Sequence, residues 1–232
     1  NKMTKANITV GSFLVIPGEE VGFAKHVLGI GLKKVVDPVN VQQIINDINA
    51  QNGIAIIAHP NRDGDFFSMK DFIDVNNYHG IEIFNGVEVP HNNAEDKFNY
   101  ILSVLGIKVL GFATDDCHDV ASREFNSAYI KVFADDLTME EIMKSLRRGN
   151  FYSSTGAIIS SIKVSGRNIL VSTDARSRIE FIGFNGQPQK TVLNTQKAVY
   201  SLTKNDVYIY IRITRDADGK MAWSNPLYVI KK

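Results

Sequence analysis

The sequence predicts an α/β fold followed by a small antiparallel β-sandwich, and three observations carry that expectation. Through the first two thirds, short apolar runs alternate with segments whose apolar residues recur at helical spacing, as strands joined by crossover helices do. One such run, residues 54–58 (IAIIA), is unbroken apolar, as a strand buried on both faces requires. Beyond Tyr152 the helical period disappears, and short β-rich runs are separated by the turn dipeptides Ser165-Gly166, Asn185-Gly186 and Asp218-Gly219.

Taken in order, residues 13–16 form an apolar run stopped by Pro17-Gly18, with Glu19 and Glu20 at its carboxyl end. Residues 26–30 fit a second short strand. Val41, Ile44, Ile45 and Ile48 share one face of an amphipathic helix, with Gly53 as its stop. Residues 54–58 then run into His59-Pro60. A helix over 68–76 leads to a strand over 80–85. Phe98, Ile101, Leu102 and Leu105 mark the next helix, and residues 107–112 the next strand. Residues 127–133 give one more strand, and Thr138-Met139-Glu140-Glu141 opens a helix as a capping box that Gly149 ends. Alternation of this kind predicts parallel pairing with right-handed crossovers. Six runs follow, over 158–164, 168–172, 179–184, 198–202, 207–214 and 222–230. The texture changes at the polar break Ser153-Ser154-Thr155-Gly156, which places a domain boundary after residue 152 and divides the chain into 1–152 and 153–232.

Composition excludes several partner classes. With 26 basic and 25 acidic residues interspersed, the chain carries neither a nucleic-acid stripe nor a polybasic membrane patch. No apolar run approaches the roughly 20 residues that span a bilayer. The single Cys117 forms no internal disulfide. Residues 1–5 (NKMTK) carry no signal-peptide pattern and do not begin with Met, so the chain reads as a fragment. A cytoplasmic compartment is the expectation, with any targeting segment belonging to a missing N-terminal part.

Residues able to ligate a metal recur at the expected strand ends. The stretch 111–119 (GFATDDCHD) closes an apolar run with Asp116 and His118 two apart, so that an extended strand end points both the same way. Glu20 and His59 occupy comparable tips, and His26 lies six residues beyond Glu20. In parallel α/β architectures those tips face one side, so residues distant in sequence converge there. Imidazole and carboxylate together suit Zn, Mn or Fe better than Ca.

Pro17-Gly18-Glu19-Glu20, His26-Val27-Leu28-Gly29, Ala58-His59-Pro60, Gly80-Ile81-Glu82 with Asn85, and Asp115-Asp116-Cys117-His118 resemble, in order and approximate spacing, the successive motifs of the PHP (polymerase and histidinol phosphatase) family. The likeness covers roughly residues 13–152. It implies a distorted (β/α) barrel, incomplete here, holding two or three divalent metal ions for phosphoester hydrolysis. It further implies that Glu20 bridges two metals, His26 and His59 complete the second site, Asp116 serves the first and His118 the third. Glu20, His59 and Asp116 are then the expected catalytic set. The β-rich tail, with residues 151–156 (FYSSTG) and 222–226 (AWSNP), resembles the appendage of the subgroup that includes carbamate-insecticide hydrolases.

One departure is large. The family opens with a His-x-His strand, and the five histidines here, His26, His59, His79, His91 and His118, include no such pair. Truncation is the simpler reading, because the chain starts where those strands would end. No Ser-His-Asp arrangement and no glycine-rich phosphate loop is present. A small phosphorylated molecule or nucleotide is therefore the expected substrate, meeting the metals and Arg62, three residues past His59. Arg123, His91 and Asn85 are weaker candidates, His79 reads as structural, and Cys117 reads as a small packed residue. Oligomeric state stays open. Two alternatives stand beside phosphoester hydrolysis: a hydrolase of another ester or amide, and a non-catalytic module stabilised by metal.

Overall fold

The computed structural model describes residues 8–10, 13–37, 40–62, 66–87 and 93–230. His91 lies outside the described residues. Strands β1 (Ile8–Val10) and β2 (Phe13–Val15) form an antiparallel hairpin. Next come β3 (Gly18–Val21), β4 (Val27–Ile30), α1 (Val41–Ala50), β5 (Ile54–Ile57), the single-turn α2 (Asp71–Asp74), β6 (Gly80–Asn85), α3 (Glu95–Ser103) and β7 (Leu110–Thr114). Strands β3 to β7 form one five-stranded sheet in chain order. Parallel pairing holds for β5–β6 and β6–β7, while β3–β4 and β4–β5 are antiparallel.

This changes the place of Glu20. Gly18 to Val21 is a strand in its own right, so Glu20 sits within β3 opposite Leu28 rather than at the tip of the run over 13–16. The short return to β4 depends on Gly22, whose φ of +145° and 2.1 Å clearance from the Lys25 carbonyl oxygen leave no room for a Cβ. A tight connection of this length permits only antiparallel pairing.

The helices follow their signals unevenly. In α1, Asn40 caps the start by accepting from the Gln43 N–H at 2.9 Å, and Ile44, Ile45 and Ile48 are buried as their spacing predicts. The helix expected over 68–76 shrinks to α2, because Val75 is already extended at φ −116° and ψ 152°. Helix α4 (Met139–Arg148) starts at Thr138, which accepts from the Glu141 N–H at 3.3 Å, and ends at Gly149 with φ +71°. Only half of the capping box forms, since the Glu141 carboxylate turns to Lys144 at 2.9 Å.

The second large sheet is antiparallel, as the turn dipeptides predict, but it recruits strands from before the texture change. Its path is β10 (Ile159–Ser165), β11 (Asn168–Ile182), β13 (Tyr208–Arg215), β14 (Met221–Ser224), β9 (Phe151–Ser154) and β8 (Tyr129–Val132). Strand β12 (Pro188–Ser201) adds to β11, and β15 (Leu227–Tyr228) to β13. Residue 152 thus falls inside β9, which pairs with β8 on one side and β14 on the other. The runs expected over 168–172 and 179–184 join into β11, whose register shifts between Ser172 and Ser177 let one strand bend through both. The result is a mixed α/β protein with two main sheets; a closed barrel is not formed by the described strands.

Packing explains how the sheets hold together. One face of the five-stranded sheet presents Val21, Val27, Ala55, Ile57, Ile81 and Ile83 to Ile44, Ile45 and Ile48 of α1 and to Phe98, Ile101 and Leu102 of α3. The other face places Ile54, Ile56 and Phe112 against Met143 and Leu146 of α4 and Phe151 of β9. Helix α3 also meets the second sheet, where Phe98 packs edge-on to Tyr210 with ring centroids 5.7 Å apart. Edge strand β7 is closed by side chains instead of a strand. The Gly111 N–H donates to Asn225 Oδ1 at 3.0 Å, and the Gly111 carbonyl accepts from Ser153 Oγ at 2.8 Å. Asn225, buried, also donates to the carbonyls of Gly149 at 3.2 Å and Phe151 at 3.0 Å.

Replacing Asn225 by Ala strands one buried N–H and two carbonyls, and each unmet group costs about 1–3 kcal/mol. We expect Asn225→Ala to lower unfolding free energy by about 3 kcal/mol in a urea titration. Because the side chain joins both sheets, loss should appear in a single shared transition; separate transitions for the two sheets would contradict this account.

Candidate metal centre

Three ligand-type side chains converge where β3 and β5 end and β4 begins. Glu20 Oε1 lies 2.7 Å from His26 Nδ1 and 3.0 Å from His59 Nε2, and the two ring nitrogens are 3.2 Å apart. Among the described residues, this is the group of three or more His, Cys, Asp or Glu side chains whose ligand atoms all gather within 4.8 Å. Backbone pairing accounts for the meeting. Glu20 faces Leu28 across the hairpin, His26 lies two residues before Leu28, and the Ala58 N–H donates to the His26 carbonyl at 3.1 Å, bringing His59 alongside.

The donor set fits a cation. A tetrahedral ion with bonds of about 2.0–2.1 Å needs donors roughly 3.3 Å apart, close to the triangle found here. Two imidazoles and one carboxylate match Zn, Mn or Fe. A cation at the centre meets three lone pairs at once. Without one, two N–H groups must converge on a single oxygen with their ring nitrogens pressed together.

Burial and charge shape the group. His59 is 3% exposed and takes φ +27°, a strained value for a residue before proline. Its position is held by Glu82, a fully enclosed carboxylate on β6. Glu82 Oε2 accepts from the His59 N–H at 2.6 Å and Asn85 Nδ2 at 2.9 Å, while Oε1 accepts from Thr114 Oγ1 at 2.6 Å. Burial pushes the Glu82 carboxyl above its ordinary range against those hydrogen bonds. The hydrogen bond from His59 leads the causes that hold Glu20 down at about 2, against partial burial. Burial opposes a charge on His59, but the Glu20 hydrogen bond and the charges of Glu82, Glu20 and Asp116 together raise it above its ordinary value.

Of the five residues expected to ligate metal, three therefore meet and two stand apart. Asp116, at φ +49°, accepts from Asn85 Nδ2 at 3.3 Å and lies outside the triangle. His118 Nδ1 is 3.9 Å from Asp116 Oδ1 with a side chain 76% exposed. Arg62 sits beside the group, its guanidinium 5.7 Å from the Phe66 ring centroid. Arg123 is exposed, Cys117 Sγ donates to the Asp119 carbonyl at 3.3 Å, and His79 Nδ1 accepts from the Ala55 N–H at 3.1 Å. Glu82 is the residue that sequence reasoning placed in a motif without a task. Its signal was a carboxylate inside an otherwise apolar strand, where burial needs partners.

Gln keeps the size of the side chain at position 82 and one acceptor oxygen for the His59 N–H and Asn85, with its amide facing the Thr114 hydroxyl. Glu82→Gln should stay within about 1 kcal/mol of wild type, whereas Glu82→Ala should lose about 3 kcal/mol by stranding the His59 N–H and Asn85. For pH, Glu20 drops from 4.5 in the unfolded chain to about 2, so its contribution is present above 4.5 and lost as pH falls toward 2. His59 is raised from 6.5, so its contribution in the metal-free protein is present below 6.5 and lost as pH rises through its folded value. Metal must displace that proton, so affinity measured by calorimetry should still be climbing above pH 6.5.

No protein-family model matches the chain, and no curated protein sequence does. Among solved structures, the chain is similar to a two-domain protein from Bacteroides vulgatus containing a predicted PHP-like metal-dependent phosphoesterase, at 14% identity and a TM-score of 0.47, over 92% of this chain and 74% of that one. That likeness is too slight to bear on the chemistry, which is argued from the geometry of Glu20, His26 and His59.

Proposed function

We propose that this protein is a metal-dependent hydrolase, a phosphoesterase for a small phosphorylated molecule, in which Glu20, His26 and His59 hold a divalent ion. The observation that carries the reading is the triangle of one carboxylate oxygen and two imidazole nitrogens with sides of 2.7, 3.0 and 3.2 Å. The motif order described above supports the choice of reaction class. Bound there, such an ion lowers the pKa of water toward neutrality and stabilises charge developing on substrate oxygens.

The chain's own groups divide the remaining work. Glu20, held ionised, supplies the negative charge of the donor set. Glu82 fixes the backbone of His59 and so the direction of its ring. Asp116 and His118 are proposed as ligands of further ions alongside, giving two or three in all, with Zn, Mn or Fe as the metal. Arg62 is proposed to hold the phosphate. Among the described residues, no helix is long and apolar enough to cross a membrane.

The test uses the full chain, stripped with chelator and reloaded with Zn, Mn or Fe. Metal content by mass spectrometry should rise to at least one ion per chain, and Mn-loaded protein should hydrolyse an aryl phosphate faster than an aryl acetate. Acetate preferred over phosphate would favour the carboxylic-ester alternative. Metal bound with neither ester cleaved would leave a metal-stabilised binding module. His59→Ala should lose an ion and at least 100-fold in rate; unchanged metal content would show that the ligand set is wrong.

A further inference from the structure

Phe66 meets every part of the candidate centre except Glu20. Its ring lies 5.5 Å from the His26 ring at an interplanar angle of 81°, and 5.2 Å from the His59 ring at 45°. On the same ring the Arg62 guanidinium sits 5.7 Å from the centroid. The two imidazoles are themselves edge-on at 5.0 Å and 79°. One aromatic ring therefore touches both imidazoles of the donor set and the cation beside them.

The ring is held firmly for a partly exposed side chain. The Phe66 N–H donates to the Arg62 carbonyl at 3.0 Å, and the Phe67 N–H to the Pro60 carbonyl at 3.0 Å. Phe66 packs edge-on to Phe67 at 5.8 Å, and Phe67, fully buried, stacks on Phe72 at 6.0 Å. A row of rings thus roots Phe66 in the core between α1 and the five-stranded sheet. The rigidity matters because imidazoles are useful ligands only when their ring planes are fixed, and His59 Nδ1 has no hydrogen-bond partner among the described residues to fix its plane from behind.

We propose that Phe66 is a positioning residue of the metal centre: its ring contacts set the planes of His26 and His59, and its face seats the Arg62 guanidinium beside the ion for the substrate's phosphate. The inference rests on the metal reading above. Ring packing, edge-on to His26 and tilted against His59, substitutes for the second-nitrogen hydrogen bond that usually orients a metal-bound imidazole, and the electron-rich ring face attracts the guanidinium.

The experiment compares wild type with Phe66→Leu, Phe66→Tyr, Arg62→Ala and the double variant Phe66→Leu/Arg62→Ala. Cobalt(II) serves as probe, with visible absorption reporting ligand geometry and titration reporting affinity. Phe66→Leu should weaken cobalt binding about 10-fold and alter the absorption band, within the range for residues that orient metal ligands. It should also raise KM for an aryl phosphate several-fold, and Phe66→Tyr should restore both. Arg62→Ala should raise KM without changing cobalt affinity, and the double variant should show no KM rise beyond the larger single effect, because the two act as one unit. Phe66→Leu that folds with wild-type cobalt affinity, spectrum and KM would overturn the proposal while leaving the metal reading intact. Should Phe66→Leu fail to fold, Phe66→Tyr and the Arg62 arm decide: Tyr losing cobalt affinity, or Arg62→Ala leaving KM unchanged, counts against it. Wild type that binds no cobalt would take down the metal reading itself.

Discussion

A buried carboxylate governs the candidate site. Glu82 lies inside the sheet with its oxygens given to the His59 N–H, Asn85 Nδ2 and Thr114 Oγ1, so it joins the ends of β5, β6 and β7. An isolated ionised group in that position would be very costly, and the shift of its pKa upward together with three donors is how the protein meets that cost. The consequence reaches beyond stability. His59 takes an unfavourable backbone conformation before Pro60, and the bond to Glu82 is what holds it there. The same carboxylate, through Asn85, sets the neighbourhood of Asp116.

Two different pairing geometries meet at this point. Glu20 and His26 come from an antiparallel hairpin, where a short turn sets their separation, and His59 comes from the first strand of a parallel run. A hairpin can place two side chains on one face within a few residues, but a third ligand must arrive from elsewhere in the chain. The β4–β5 pairing supplies it, since Val27 opposite Ile57 leaves His26 and His59 adjacent beyond the last paired residues. The second sheet acts at a distance from the site: Asn225 and Ser153 satisfy Gly111 on edge strand β7, keeping that strand from offering an open edge.

Much of the fold was legible from residues alone, for identifiable reasons. The isoleucine spacing of α1, the unbroken apolar β5, the Gly80–Asn85 strand and the Thr138 to Gly149 limits of α4 are local signals, and each element formed where its pattern placed it. The failures are equally specific. Strand β3 was hidden because Gly-Glu-Glu-Val carries too few apolar residues to show a period, although its pairing with β4 needs only backbone groups. The helix over 68–76 was overestimated at both ends, since residues 68–70 only turn into α2 and Val75 already leaves it extended. A strand crossing residue 152 could not be seen, since texture records composition and β9 takes its partners from both sides of the change.

For the site, the sequence by itself determined which side chains are able to ligate a metal and that His59 follows the apolar run of β5, because residue chemistry and the end of an apolar run are local properties. Only the tertiary structure decided that Glu20, His26 and His59 form the tight group while Asp116 and His118 stand beside it, that Glu82 secures His59, and that Phe66 touches both imidazoles. The physical reason is range. Periodicity reports which face of an element is buried, whereas a hydrogen bond or ring contact between residues 23 to 40 positions apart depends on which strands become neighbours and in what register, and no local pattern carries that information.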